Sequence, residues 1–229
     1  LVHDILYHAL EPRVHGEHSA KEHLGETVGT FASLTGDEMF DDVVLVDQSP
    51  IGKSPRSNPV TYVKAYDEIR RLFSETPLAR LRGYGPGHFS FNVPGGRCDT
   101  CEGAGAIEVE MVFMADVFVP CDACGGKRFK PDLLEVRFKN KSIADVLELT
   151  IDEAIKFWPR EDKLAQALWH VQQVGLGYLR LGQPATTLSG GEAQRLKIAR
   201  ELALSAKGNA RKLYVLDEPT TGLHLEDIR

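Results

Sequence analysis

The chain of 229 residues has no run of 18 apolar residues, so no segment of it reads as a membrane-crossing helix. Its first residues lack the basic-then-apolar pattern of a secretory signal, and a cytoplasmic location without disulfides is therefore expected. Cysteine is scarce: the four present sit at positions 98, 101, 121 and 124. Acids are missing altogether from two stretches, residues 48–66 and 78–98. The net charge of −6 taken alone argues against a partner made of phosphates. That total is misleading, because ten of the 33 acids lie in residues 1–47 beside only Arg13 and Lys21. The rest of the chain carries 25 bases against 23 acids, and local patches matter more than the sum.

What is present is concentrated near the end of the chain. Leu188-Ser189-Gly190-Gly191-Glu192 opens a helical pattern that runs through Leu204. A serine and two glycines at a helix start can cradle phosphate oxygens on free backbone N–H groups. Leu213-Tyr214-Val215-Leu216 is an apolar run that ends in Asp217-Glu218-Pro219. It reads as a buried parallel strand delivering two carboxylates to its C-terminal edge. The two motifs together resemble the signature and Walker B motifs of ATP-binding-cassette (ABC) ATPases, and Thr220-Thr221-Gly222-Leu223-His224 resembles the D-loop of that family.

Residues 1–10 read as a helix with one apolar face. The ABC family places its Walker A phosphate loop immediately before such a helix. The sequence is therefore expected to start just after that loop, and to hydrolyse ATP poorly on its own. Residues 11–36 are polar, and the spacing of His15, His18 and His23 fits no compact metal site, so a connector is expected there. Residues 42–46 form a short strand, and Gln48 stands just past its end. Gly52-Lys53-Ser54 imitates a phosphate loop, but Asp47 occupies the position of the required first glycine. Pro50 and Pro55 also oppose a smooth turn into a helix, so these residues are not read as one.

The run from Asp47 through Gln48-Ser49-Pro50-Ile51-Gly52-Lys53-Ser54-Pro55-Arg56-Ser57-Asn58 to Pro59 closely resembles the second ATPase half of the UvrA family of nucleotide-excision-repair proteins. So do Gly83-Tyr84, Phe89-Ser90-Phe91-Asn92-Val93, the cysteine pairs and Leu181-Gly182-Gln183. The resemblance implies a dimeric ATPase that scans DNA, binds damaged duplex and loads the helicase subunit UvrB. It assigns Gln48 to the Q-loop, touching magnesium and the attacking water. Asp217 would hold Mg2+ through water, and Glu218 would polarise the attacking water. Ser189, Gly190, Gly191 and Glu192 would serve ATP seated on an opposing ATPase half. The acid-free runs and the amphipathic helix read between them, residues 62–73, supply candidates for DNA phosphates: Lys53, Arg56, Lys64, Arg70, Arg71, Arg80, Arg82 and Arg97. Tyr84, Phe89 and Phe91 are interleaved with them, to pack or to contact bases.

Cys98-x2-Cys101 and Cys121-x2-Cys124 flank a 19-residue insert, and glycines 103, 105, 125 and 126 follow the two pairs. In a chain without a secretion signal this spacing reads as a four-thiolate zinc site. Alternation from Ile107 to Phe113 predicts a half-buried strand, and residues 133–138 predict another. Met111 and Met114 are read as packing residues, and Met114-Ala115 replace the Leu-Pro usual in UvrA-like sequences. Ser142 caps one helix, and Thr150 with Glu153 forms a capping box for the next, which ends at Pro159. A longer helix over residues 163–174 ends at Gly175, and Trp158 and Trp169 are read as packing residues.

The expected fold is α/β: a P-loop ABC ATPase core, incomplete because Walker A is absent, interrupted by an inserted helical signature domain with an embedded zinc module. Residues 1–48 and 181–229 would form the core. Residues 49–180 would form the insert, with the zinc module at about 88–130. The competing readings are an ABC domain of a chromosome-maintenance or transporter ATPase, and a zinc-stapled structural domain without catalysis. Neither of the first pair explains the cysteine module, and the last leaves Glu218 beside Asp217 unexplained.

Overall fold

The computed structural model describes residues 2–15, 29–111, 113, 117–159, 162–205 and 210–220. His18, His23, Met114 to Asp116 and the D-loop residues Thr221 to His224 lie outside that set. In chain order, a π-helical turn (Val2–Tyr7) runs into α1 (His8–His15), and a 3-10 turn (Asp37–Met39) precedes β1 (Asp42–Val46). Then come α2 (Pro59–Tyr62), α3 (Tyr66–Ser74), α4 (Pro77–Leu81), β2 (Ala106–Val109), β3 (Val117–Pro120), α5 (Pro131–Leu134), α6 (Ile143–Leu147) and α7 (Ile151–Phe157). Helix α8 (Asp162–Gln173), a 3-10 turn (Ala185–Thr187), α9 (Gly190–Ser205) and β4 (Lys212–Leu216) complete it. The chain divides into two compact units: residues 1–49 with 190–229, and residues 50–189.

In the first unit β1 and β4 pair in parallel, Val44 opposite Tyr214 and Val46 opposite Leu216. Val43, Val46 and Val215 are buried, but Tyr214 and Leu216 are exposed, so β4, expected as a buried strand, is buried only at Val215. Tyr7, Leu10, Val43 and Val215 form the core there, with Val14, Leu34, Leu45 and Leu213 around it. Arg13 fastens the loop beyond α1 by donating to the Leu34 carbonyl at 3.0 Å and pairing with Asp37 at 3.6 Å.

The second unit is built from short helices, most with a capping residue or a proline at the start. Asn58 and Thr61 exchange bonds as a capping box for α2, as Ser142 and Asp145 do for α6 and Thr150 and Glu153 for α7. Instead of one helix over residues 62–73 there are two. Lys64 takes φ 58°, a left-handed conformation that no helix can continue through, and α3 restarts at Tyr66. The strand expected over residues 133–138 is also replaced. Pro131 starts α5, which ends at Leu134, and the Val136 N–H turns back to the Leu133 carbonyl at 3.1 Å, so both buried residues sit across a turn and not along a strand. The extended pairing left in this stretch is a single bridge between Phe138 and Lys141.

One aromatic alternative is decided and one assignment changes. Phe89 and Phe91 are fully buried, Phe91 stacked on Tyr66 at 4.8 Å and Phe89 against Phe73 at 5.6 Å. They are core residues and cannot reach a base. Trp158 is buried, but Trp169 is 50% exposed on α8 and lies outside the core. The hairpin of β2 and β3 is likewise exposed rather than half-buried, with Ile107, Val109, Phe118 and Val119 all open to solvent. Gly175, at φ 77°, ends the helical stretch after α8 as expected.

Candidate nucleotide edge and thiolate centre

The parallel pair of the first unit brings its chemistry to one edge. Where β1 ends, Asp47 and Gln48 follow; where β4 ends, Asp217 and Glu218 follow. The Asp217 N–H donates to the Val46 carbonyl at 3.2 Å, which sets the two strand ends side by side. In open α/β sheets ligands bind at this carboxyl edge. Asp217 and Glu218 are exposed, and Glu218 holds φ 45°. A non-glycine residue in that region stores about 1–3 kcal/mol, and such strain clusters at functional sites.

Helix α9 starts beside Gln48. A Cβ built on Gly190 would lie 2.8 Å from Gln48 Oε1 and 3.1 Å from its Cβ, so glycine leaves the Gln48 amide its place, and a methyl there would push that amide aside. The first backbone N–H groups of a helix have no partner within it, and here they belong to Gly190, Gly191 and Glu192. Ser189 immediately precedes them, exposed.

Two residues without a role in the motif reading knit this edge together. Gln194, buried on α9, donates to the Val46 carbonyl at 3.0 Å and to the Asp217 carbonyl, clamping both strand ends at once. Lys197, one turn on, donates to the Asp47 carboxylate, to the Asp47 carbonyl at 3.2 Å and to Ser49 Oγ at 2.7 Å. Burial alone would raise the Asp47 carboxyl, but the Lys197 ammonium and the Ser49 hydroxyl outweigh it and hold the group below its usual range. The i, i+3 spacing of Gln194 and Lys197 puts them on one face of α9; that spacing was the available signal.

The four cysteine sulfurs of the second unit lie within 4.8 Å of one another, and none is in a disulfide. Cys101 Sγ and Cys124 Sγ are 3.7 Å apart. Zinc–thiolate bonds of about 2.3 Å in a tetrahedron put sulfurs about 3.8 Å apart, so the donor set fits zinc. Backbone bonds close both knuckles: Ala104 N–H to the Cys101 carbonyl at 2.9 Å and Lys127 N–H to the Cys124 carbonyl at 3.1 Å. Gly103 is obligatory at its φ of 83°, since a Cβ would stand 2.0 Å from the Phe91 carbonyl oxygen. Burial pushes the Cys98 thiol up, but the N–H groups of Cys101 and Thr100 and the neighbouring thiols win and bring it down to about 7. Burial and the thiols of Cys101 and Cys121 drive Cys124 up to about 12, against the N–H of Arg128. Four thiolates this close repel one another, and a divalent cation is what relieves that.

The basic candidates do not form one bare patch. Arg56 and Arg97 share Glu102 at 3.6 and 3.5 Å, Arg70 pairs with Asp67, and Arg71 with Glu68 and Glu75 at 2.5 and 2.6 Å. Arg82 pairs with Glu135 and donates to the Asp132 carbonyl at 2.8 Å. Hydrogen bonds to Glu68 and then Glu75 raise the Arg71 pKa, and the bond to Glu135 raises that of Arg82. Runs that are acid-free along the sequence are therefore not acid-free in space. Lys53, Lys64 and Arg80 are exposed and make no ion pair among the described residues.

Comparison with known proteins joins these features. Residues 126–221 match the ABC transporter family. The chain is 54% identical over 228 residues to UvrABC system protein A of Thermus thermophilus, covering 100% of this chain and 23% of that protein. It is 52% identical over 229 residues to the same-named protein of Aquifex aeolicus, covering 100% of this chain and 24% of that one. The crystal structure of UvrA2 from Deinococcus radiodurans superposes with a TM-score of 0.79 at 54% identity, covering 82% of this chain and 23% of that one. The chain thus spans about a quarter of the length of these relatives. With the ABC fold and the four clustered cysteines in place, the resemblance first carried by the SPIGKSPRSNP run holds throughout, and the chain is UvrA-like along its whole length.

Proposed function

We propose that this chain is the part of a UvrA-like ABC ATPase that couples ATP turnover to recognition of damaged duplex DNA in nucleotide excision repair, with loading of UvrB as the outcome. The full-length protein would act as a homodimer, and no helix among the described residues is long and apolar enough to cross a membrane. The observation that carries the reading is the identity of about half of all positions to UvrABC system protein A along the entire chain. The edge formed by Gln48, Gly190, Asp217 and Glu218 supports the ATPase part of it.

In that reading Asp217 and Gln48 would hold Mg2+, which would supply charge neutralisation on the phosphates, and Gln48 would orient the attacking water. Glu218, exposed at the strand edge, accepts hydrogen bonds from that water and polarises it. Ser189 and the N–H groups of Gly190 and Gly191 bind phosphate oxygens of ATP seated on an opposing ATPase half. Cys98, Cys101, Cys121 and Cys124 hold one structural zinc ion, which supplies rigidity and no chemistry.

The test is Glu218→Gln in the full-length protein. Turnover should fall by at least about 10²-fold while ATP still binds and damaged duplex is still retained. Unchanged turnover overturns the assignment of Glu218. An active ATPase without zinc and without preference for damaged duplex would instead favour an ABC domain of another class.

A further inference from the structure

Arg128 is 7% exposed, and no acid pairs with it among the described ion pairs. Its charge is spent on two backbone carbonyls from distant parts of the second unit. Nη1 donates to the Pro55 carbonyl at 3.2 Å and Nη2 to the Gly182 carbonyl at 3.0 Å. The guanidinium lies 5.3 Å from the centre of the buried Phe91 ring. The same residue is built into the thiolate centre by its backbone. Its carbonyl accepts the Cys98 N–H at 2.8 Å, and its own N–H donates to the Cys124 sulfur. Its φ of 70° is the left-handed turn that allows both ends to be used.

Gly182 begins the segment that leads to Ser189. Gly182 N–H donates to the Leu147 carbonyl at 2.8 Å, and Ala185 N–H donates to the Ser57 carbonyl at 2.7 Å. Gln183 reaches Thr187 Oγ1 at 3.2 Å, and Thr187 Oγ1 donates to the Pro184 carbonyl at 2.8 Å. The segment is short and made of 3-10 and turn backbone, with Thr187 N–H donating to the Pro184 carbonyl at 3.0 Å and Leu188 N–H to the Ala185 carbonyl at 3.2 Å. A planar fork that bridges two carbonyls can set its position; a point charge cannot do so in the same way.

We propose that Arg128 is a positioning residue through which the four-thiolate centre holds residues 182–189 in the place from which Ser189 meets the nucleotide. The inference rests on the zinc and signature roles given above. It deepens them by naming the physical link between a metal site and a loop more than 50 residues away in sequence.

The experiment is amide hydrogen exchange on the full-length protein, with zinc bound and after removal of zinc by a chelator, for wild type, Arg128→Gln and Arg128→Lys. Removing zinc from wild type should speed exchange at residues 185–189 about tenfold while α7 and α8 keep their protection. Arg128→Gln should reproduce that loosening with zinc still bound, and stripping zinc from this variant should add little more at the same amides. Arg128→Lys, which keeps the charge but loses the fork, should loosen the segment as well. In the ATPase assay both variants should lower kcat about tenfold with KM for ATP unchanged. The coupling is overturned if zinc removal leaves residues 185–189 protected in wild type, or if the effects of zinc removal and Arg128→Gln simply add. The zinc arm on wild type decides the matter even where Arg128→Gln does not fold. Exchange data of this kind are independent of turnover, so a wild type without ATPase activity would count against the proposed function and not against the link.

Discussion

Gln48 and Gly190 approach so closely that a Cβ on Gly190 would stand 2.8 Å from Gln48 Oε1. The atom in the way is the far end of a flexible side chain, so the protein can accommodate an alanine by swinging the amide aside. Gly190→Ala should therefore leave global stability within about 1 kcal/mol of wild type, since alanine also favours the helix. Its effect should fall on chemistry, because the displaced amide is the one proposed to orient water. ATP turnover should drop about 10- to 100-fold, the scale on which a displacement of about 1 Å acts. Wild-type turnover in a well-folded variant would remove Gln48 from the reaction.

The Asp47 pair with Lys197 predicts a pH dependence of known sign. The Asp47 carboxyl is held below its usual range by Lys197 and Ser49. A group depressed in this way contributes stability above its unfolded pKa of about 3.9 and loses it as pH falls through the lower folded value. Wild type should be more stable than Asp47→Asn at neutral pH, and the gap in thermal midpoint should close as pH is taken below about 4. A gap that stays constant down to that range would mean that the ion pair does not contribute.

Removal of zinc should act locally. The thiolate centre has Cys98, Cys101 and Cys121 as its own buried cluster, and no residue of the hairpin it supports belongs to the described buried core. Small modules without a hydrophobic core depend on such staples. Elemental analysis should return about one zinc per chain, as a four-thiolate site holds a single ion. Cys121→Ser should lower retention of the ion and expose β2 and β3 to protease while α8 and β1 stay resistant. A folded, reduced sample with no zinc would sink the site.

The parts of this chain that were legible in advance are those where local chemistry decides the outcome. The strand at Asp42–Val46, the capping residues Ser142 and Thr150, and the cysteine pairs carry their signal within a few residues. Features decided by distant partners were not legible. Residues 133–138 alternate as a strand would, but Pro131 starts a short helix there, and Val136, buried like Leu133, follows in the turn beyond it. Phe89 and Phe91 flank Ser90 as a strand would show them, yet Tyr66 and Phe73 from α3 make both of them core. Gln194 and Lys197 read as ordinary polar helix residues until the ends of β1 and β4 come beside them. Arg82 and Glu135 are 53 residues apart, so their pairing leaves no trace in a scan for acid-free runs.

That last point reorders the proposed DNA contacts. Exposed ion pairs contribute little to stability, so Arg56, Arg71 and Arg82 can exchange a carboxylate for a phosphate at little energetic cost, whereas Arg70 and Arg97 are more deeply set. The exchange leaves an acid nearby, however, and that acid repels the same phosphate and lessens the gain. Lys53, Lys64 and Arg80 carry no such acid among the described ion pairs, and they should supply the larger share of counterion release. Each lost phosphate contact flattens the slope of log affinity against log salt by about 0.9 on duplex DNA. Changing Lys53, Lys64 and Arg80 together to alanine in the full-length protein should weaken binding to every duplex and flatten the slope by about 2–3. Arg71→Ala, with Glu68 and Glu75 left in place, should change the slope by less than one contact's worth. Contacts of this type carry little sequence information, so the preference for damaged over intact duplex should survive in the triple variant even as affinity falls. An unchanged slope in that variant, or a larger change from Arg71→Ala, would mean that the paired arginines face the duplex and that Lys53, Lys64 and Arg80 do not.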